Sequence, residues 1–188
     1  MHFSKYANIY SMRNLIRCIL FISTTLFSTF TWAKIEPPNY NFSVDTLKDF
    51  YPDAQVSDLE KKYGKPEMMS GGATRNTLKF MVAQIRYKFP VIVQTQDGKV
   101  LDMFAKLPSY FLHDIFHHSL INRLGKQDQY KRTGEEAIYV WNKTPLIHVY
   151  SGACTITCFP VFYAVYPKEI DPTRPFTPIM DQMKKANQ

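Results

Sequence analysis

The sequence predicts an α+β fold: two tandem units, each a helix followed by an antiparallel hairpin, forming one sheet with helices packed on one face. Three observations carry this. Apolar residues recur at helical spacing in two segments, each stopped by a glycine: Val56, Leu59 and Tyr63 before Gly64, and Leu112, Phe116, Leu120 and Leu124 before Gly125. Each segment is followed by alternating, β-branched and aromatic runs of strand character. The landmarks of the two halves also line up. YGKPE at 63–67 matches LGKQD at 124–128, PVIVQT at 90–95 matches PLIHVY at 145–150, and Leu107-Pro108 matches Tyr166-Pro167.

Composition narrows the functional classes. The 188 residues are 45% hydrophobic and 15% aromatic, which excludes a disordered chain. Three cysteines are too few for a disulfide-dense scaffold or an all-cysteine zinc module. No GxxxxGK[ST] or GxGxxG string is present to cradle a phosphate.

Residues 1–33 read as an export signal. Lys5, Arg13 and Arg17 precede an uncharged apolar stretch, CILFISTTLFSTF at 18–30, and the small residue Ala33 precedes Lys34. The stretch is shorter than the ~20 residues of a membrane span; an uncleaved anchor is the alternative. Cleavage near Ala33 leaves 155 of the 188 residues and +4 of the +7 charge. The expected location is periplasmic or secreted. A mildly basic exported chain gives no reason to expect a nucleic-acid partner.

The mature chain then divides into a leader at 34–42, unit one at 43–108, unit two at 109–167 and a Pro-rich tail at 168–188, expected to be extended or disordered. In unit one, a short helix at 43–51 has Ser43 as its N-cap, and a longer one at 52–63 has Pro52 in its first turn. The segment 70–76 reads as a loop. Ile85, Tyr87 and Phe89 alternate with Arg86 and Lys88, and Gln96-Asp97-Gly98 marks a hairpin turn into 99–107. In unit two, a helix at 109–124 precedes a loop, KQDQYKRTG. Strands follow at 135–142, 145–150 and 154–166, with a turn expected at Ser151-Gly152-Ala153. Pro160 marks an edge strand or a bulge.

The run VSDLEKKYGKPE, followed by strands, resembles the repeat of the BamE (SmpA/OmlA) outer-membrane assembly lipoprotein superfamily, in which helices before a GxP turn pack on a small antiparallel sheet. Two such units in tandem are similar to the layout of beta-lactamase inhibitory proteins. That resemblance implies a concave sheet that binds a partner protein. The second unit carries Gln127 where proline is expected, and Lys34 stands where a lipoprotein would have cysteine.

Cys154 and Cys158 form an even pair in an oxidising compartment, where a disulfide is expected. Residues four apart in a regular strand lie ~13 Å from each other, whereas a bridge needs Cα atoms ~4.4–6.8 Å apart. The bridge therefore requires a tight turn or bulge; two free thiols are the alternative. His113 and His117 lie four apart on one helix, the spacing with which two imidazoles chelate a metal. A solvated polar face is the simpler reading of HDIFHH, and no cofactor is expected.

Tyr139 and Trp141 alternate with Ile138 and Val140, and His148 and Tyr150 with Ile147 and Val149. If the aliphatic residues face the helices, the aromatic ones lie on an open face beside the basic Arg86 and Lys88. Tyr and Trp anchor protein interfaces; if both faces are covered, the rings are core. The functional expectation is a non-enzymatic binding or envelope-assembly module that contacts a protein partner through this face. Membrane or cell-envelope association is left open. The alternative is a small metal-dependent or hydrolytic enzyme using His113 and His117.

Overall fold

The computed structural model describes residues 44–84, 87–109, 111–142 and 145–186. The export segment, the leader, Ser43 and Arg86 lie outside the described residues. Helices α1 (Asp45–Lys48) and α2 (Val56–Tyr63) come first. Strands β1 (Glu67–Gly71), β2 (Arg75–Gln84), β3 (Tyr87–Gln96) and β4 (Lys99–Lys106) follow. Helix α3 (His113–Leu124) then leads into β5 (Gln129–Thr133), β6 (Glu136–Trp141), β7 (Leu146–Cys154) and β8 (Cys158–Pro167), and α4 (Ile179–Ala186) ends the series. All eight strands join one antiparallel sheet in the order β1-β2-β3-β4-β8-β7-β6-β5. The fold is α+β and mostly sheet.

The two longer helices differ from the sequence expectation at their starts, not their ends, and α1 stops at Lys48, short of the expected Tyr51. Gly64 and Gly125 adopt positive φ, and their N–H groups donate to Glu60 O and Ile121 O, as helix stops do. Helix α2, however, begins at Val56 rather than at Pro52. Asp53 has a φ of 70° and donates its N–H to Val100 O, and Gln55 bridges to Lys99. Pairing with the start of β4 thus holds residues 52–55 out of the helix. Similarly, α3 starts at His113, four residues later than the expected start at 109, and its cap Leu112 is exposed.

Three further expectations are corrected. The segment 70–76, read as a loop, holds the end of β1 and the start of β2, and the loop KQDQYKRTG contains β5. Strands β1 and β5 are edge strands exposed along their whole length, so no buried face imposes alternation on them. The turn expected at 151–153 is strand, and the chain reverses at 155–157 instead. The tail is not simply extended, since it ends in α4.

Both faces of the sheet are covered, which changes the packing picture from helices on one side only. Helices α1 to α3 lie on one face over Leu78, Phe80, Val91, Val93, Met103, Trp141, Tyr150 and Tyr163. Helix α4 lies on the other, where Ile179 and Met180 pack with Phe104, Val149 and Ala164. Pro160 is accommodated as expected of a bulge: the β7–β8 register shifts beside it, and β4 reaches only Phe162–Val165, so residue 160 has a paired strand on one side.

The two layers differ in weight. Phe116 is buried among Tyr150 and Tyr163, whereas Phe162 is half-buried and stacks on Phe104. Phe116→Ala is expected to cost about 3–5 kcal/mol in urea unfolding, and Phe162→Ala about 1–2 kcal/mol. Equal losses would mean that the two layers are not distinct.

Candidate functional site

Each of strands β5 to β8 carries one tyrosine at matched positions on the helix-facing side. Tyr130 opposes Tyr139, Tyr139 opposes Tyr150, and Tyr150 opposes Tyr163. Helix α3 lies against this row through His113, Phe116 and His117. The aromatic side chains proposed for contact therefore face the helix, not solvent. Trp141 is 1% exposed and Tyr150 0%, with Tyr139 half-buried beside them. The rings pack directly against α3, while the aliphatic partners Ile138, Val140 and Ile147 turn to the opposite face.

The polar atoms of this layer are largely satisfied internally. Trp141 Nε1 donates to Gly125 O at 2.7 Å, at the C-terminal end of α3. Tyr150 OH and His113 Nδ1 share a hydrogen bond of 2.8 Å. Tyr163 OH lies 2.7 Å from His148 Nδ1 and 2.8 Å from Tyr51 OH, which links β8, β7 and the turn after α1. Burial pushes the Tyr150 and Tyr163 hydroxyls up and the His148 imidazole down to about 4. These groups are neutral near pH 7.

His113 and His117 are brought together, with ring centroids 5.5 Å apart and planes nearly parallel. His113 is buried. His117 Nε2 is buried without a hydrogen bond and its ring rests on Tyr139 at 4.2 Å. Burial lowers both imidazoles, and in His117 the neighbouring His113 lowers it further. Among the described residues no third His, Cys, Asp or Glu is grouped with them as a metal site would require. The solvated face expected for HDIFHH applies to Asp114 and His118, which are exposed, but not to His113.

Gly152 explains how His113 fits. A Cβ at position 152 would lie 2.4 Å from His113 Nδ1. The glycine that reads as a turn signal is instead a notch in β7 for an imidazole. Two strand positions beyond, Cys154 and Cys158 oppose each other and are joined by a disulfide, with Cα atoms 4.0 Å apart. The bridge closes the turn Thr155-Ile156-Thr157, whose Ile156 is fully exposed.

The face away from α1–α3 is where accessible apolar surface remains. Ile138, Val140 and Ile147 are half-buried there, beside Phe104, Val149 and Ala164. Alternation places Lys88 and Lys106 on the same face, and both are exposed. Helix α4 covers part of it, with Ile179 and Met180 as its buried anchors among the described residues, about 1.5–3 kcal/mol each before ordering entropy. Asp102 on β4 meets the helix start: its Oδ2 accepts the Ile179 N–H at 2.6 Å. Sequence reasoning missed Asp102 and α4. The signals were one carboxylate in the apolar run KVLDMFAKL and the amphipathic spacing of IMDQMKKA.

A cavity of about 520 Å³ is lined by apolar residues, Leu101 and Phe176 among them, and by the charged Asp53, Lys168, Glu169, Asp171 and Arg174. Arg174 pairs with Asp171 and approaches Asp53 at 3.8 Å. The charges lining the cavity are thus of both signs.

No protein-family model matches the chain, and no curated protein does. Among solved structures, a DUF4309 family protein (YjgB) from Bacillus subtilis subsp. subtilis str. 168 is similar at 14% identity, with a TM-score of 0.41, over 61% of this chain and 79% of that one.

Two outcomes follow from the buried layer. The His148 imidazole is held below its ordinary 6.5, so the folded state binds fewer protons than the unfolded one. The stability it protects is complete above pH 6.5 and is lost as pH falls through about 4, on the order of 3 kcal/mol. His148→Gln is expected to flatten that part of a stability–pH profile; an unchanged profile would count against the assignment. Gly152→Ala is expected to displace His113 from Tyr150 and to cost about 1–3 kcal/mol, read by thermal unfolding.

Proposed function

We propose that this chain is an exported, non-enzymatic binding module that holds an amphipathic helix of a protein partner on the sheet face opposite α1–α3. The observation that carries this is the row Ile138, Val140 and Ile147, partly accessible on a face where the chain's own amphipathic helix already sits. A face that accepts α4 has the spacing and chemistry to accept another helix beside it or in its place. Lys88 and Lys106 favour acidic residues at one end of that helix. The contact surface differs from the aromatic one that the alternation pattern offered, because those rings are core.

Several features support the wider reading. The basic-then-apolar start of the sequence favours export, and the Cys154–Cys158 bridge suits an oxidising compartment. Each run of four strands begins after a helix, and the last strand of each run, β4 or β8, lies at the centre of the sheet. That order supports two tandem units, similar in layout to beta-lactamase inhibitory proteins. The enzyme reading through His113 and His117 has less support, since His113 is buried and already engaged by Tyr150. Zinc titration of wild type and His117→Ala separates the readings: equal absence of binding is expected, and stoichiometric binding lost in the variant would favour the enzyme.

A photo-crosslinking residue placed at Ile147 in the cell that makes the protein is expected to trap a discrete partner, whereas one at Asn122 on α3 is not. Mass spectrometry of the adducts reads the result. Identical adducts at both positions would overturn the assignment of the face.

A further inference from the structure

We propose that residues 171–186 form an internal competitor for the partner: a strap whose helix α4 occupies part of the open face and lets go as the buried Asp102 carboxyl group gives up its proton to water. Its purpose rests on the binding face proposed above, but the strap's own equilibrium is measured without any partner.

The attachment is polar and narrow. Arg75 Nη2 donates to Pro175 O at 2.8 Å, Gln94 Nε2 to Thr177 O at 2.9 Å, and Ile179 N to Asp102 Oδ2 at 2.6 Å. These contacts carry the strap across β2, β3 and β4 in turn. Beyond them the buried residues among those described are Pro178, Ile179 and Met180, all at the start of α4, and Gln182, Met183 and Lys185 are exposed. A helix fixed by its first turn is readily displaced.

Asp102 is the element that can switch. Its side chain is buried, and Oδ1 makes no hydrogen bond of ordinary geometry. From β3 it faces Gln94, its direct cross-strand partner. From β8 it faces the side that carries Tyr166, one step past the Met103–Val165 pair. From α4 come the Ile179 N–H and, within the same helix, Asp181 and the exposed Lys185. Burial is the largest influence and raises the carboxyl to about 6, with the Ile179 and Gln94 hydrogen bonds offsetting it in part.

With the strap released and Asp102 in water, the carboxyl returns toward its ordinary value. The docked state therefore binds the proton more tightly. Docking is strongest in acid and weakens as pH rises through about 6. The docked-to-released ratio is expected to fall on the order of 50-fold between pH 4 and pH 7. The apolar face would thus be covered in acid and freed near neutrality.

Hydrogen exchange of the full chain tests this, followed by mass spectrometry over residues 177–186 at several pH values and corrected for intrinsic rates. In the wild type the opening constant is expected to rise with pH. In Asp102→Asn, which keeps the shape without the charge, it is expected to be flat. Gln94→Ala, which removes a neutral tether, is expected to raise opening at every pH and to keep a slope; it serves if Asp102→Asn does not fold. A slope that is the same in Asp102→Asn, or no slope in the wild type or in Gln94→Ala, would overturn the proposal. Neither result depends on partner capture at Ile147, so failure of the strap and failure of the binding face are distinguishable.

Discussion

Four residue pairs hold the middle of the sheet together: Met103 with Val165, Phe104 with Ala164, Ala105 with Tyr163, and Lys106 with Phe162. At this seam β4 and β8 are covered on both faces, and register there decides the content of each layer. A slip of one position would send Tyr163 to the α4 side and put Phe162 and Ala164 under α3, leaving polar hydroxyls without partners. Alternation then propagates the choice outward through β7 and β6 on one flank and β3 and β2 on the other. The partition into an aromatic, hydroxyl-rich layer and a thinner aliphatic one is a consequence of that pairing.

The two layers do different work because their chemistry differs. On the α3 side, histidines and tyrosines are buried and largely satisfied by one another, through Tyr51–Tyr163–His148 and His113–Tyr150. Such a network specifies one arrangement, since any other leaves a buried polar atom unpaired. It gives the helices a fixed seat and makes that side unsuited to reversible contact. The opposite layer is mostly aliphatic, with Phe104, Phe162 and Tyr166 among it, and is only partly covered. It tolerates a change of occupant, since apolar contact is not directional.

Much of this was legible in the sequence where burial writes a pattern. Gly64, Gly125 and the Asp97-Gly98 turn marked real boundaries, the α+β class followed from mixed periodicities, and the cysteine pair was readable as an even pair four residues apart. The misses share a cause. Strands β1 and β5 have no buried face, so nothing in their residues alternates. The start of α2 is set by Gln55 pairing with Lys99, a contact 44 positions away in sequence. The direction in which Tyr139, Trp141, His148 and Tyr150 point could not be read from alternation, which gives two faces without saying which is inside. That depends on which face α3 covers, and the seat of its buried His113 is set by Gly152, which no local pattern marks.

The contact between Gly152 and His113 also bears on how this chain can vary. Position 152 has no room for a side chain while an imidazole fills the notch, and an imidazole at 113 has no seat without the notch. Neither residue is free to change first at low cost. Among related chains the two positions should therefore be exchanged together or retained together, so that a single contact behaves as one inherited character.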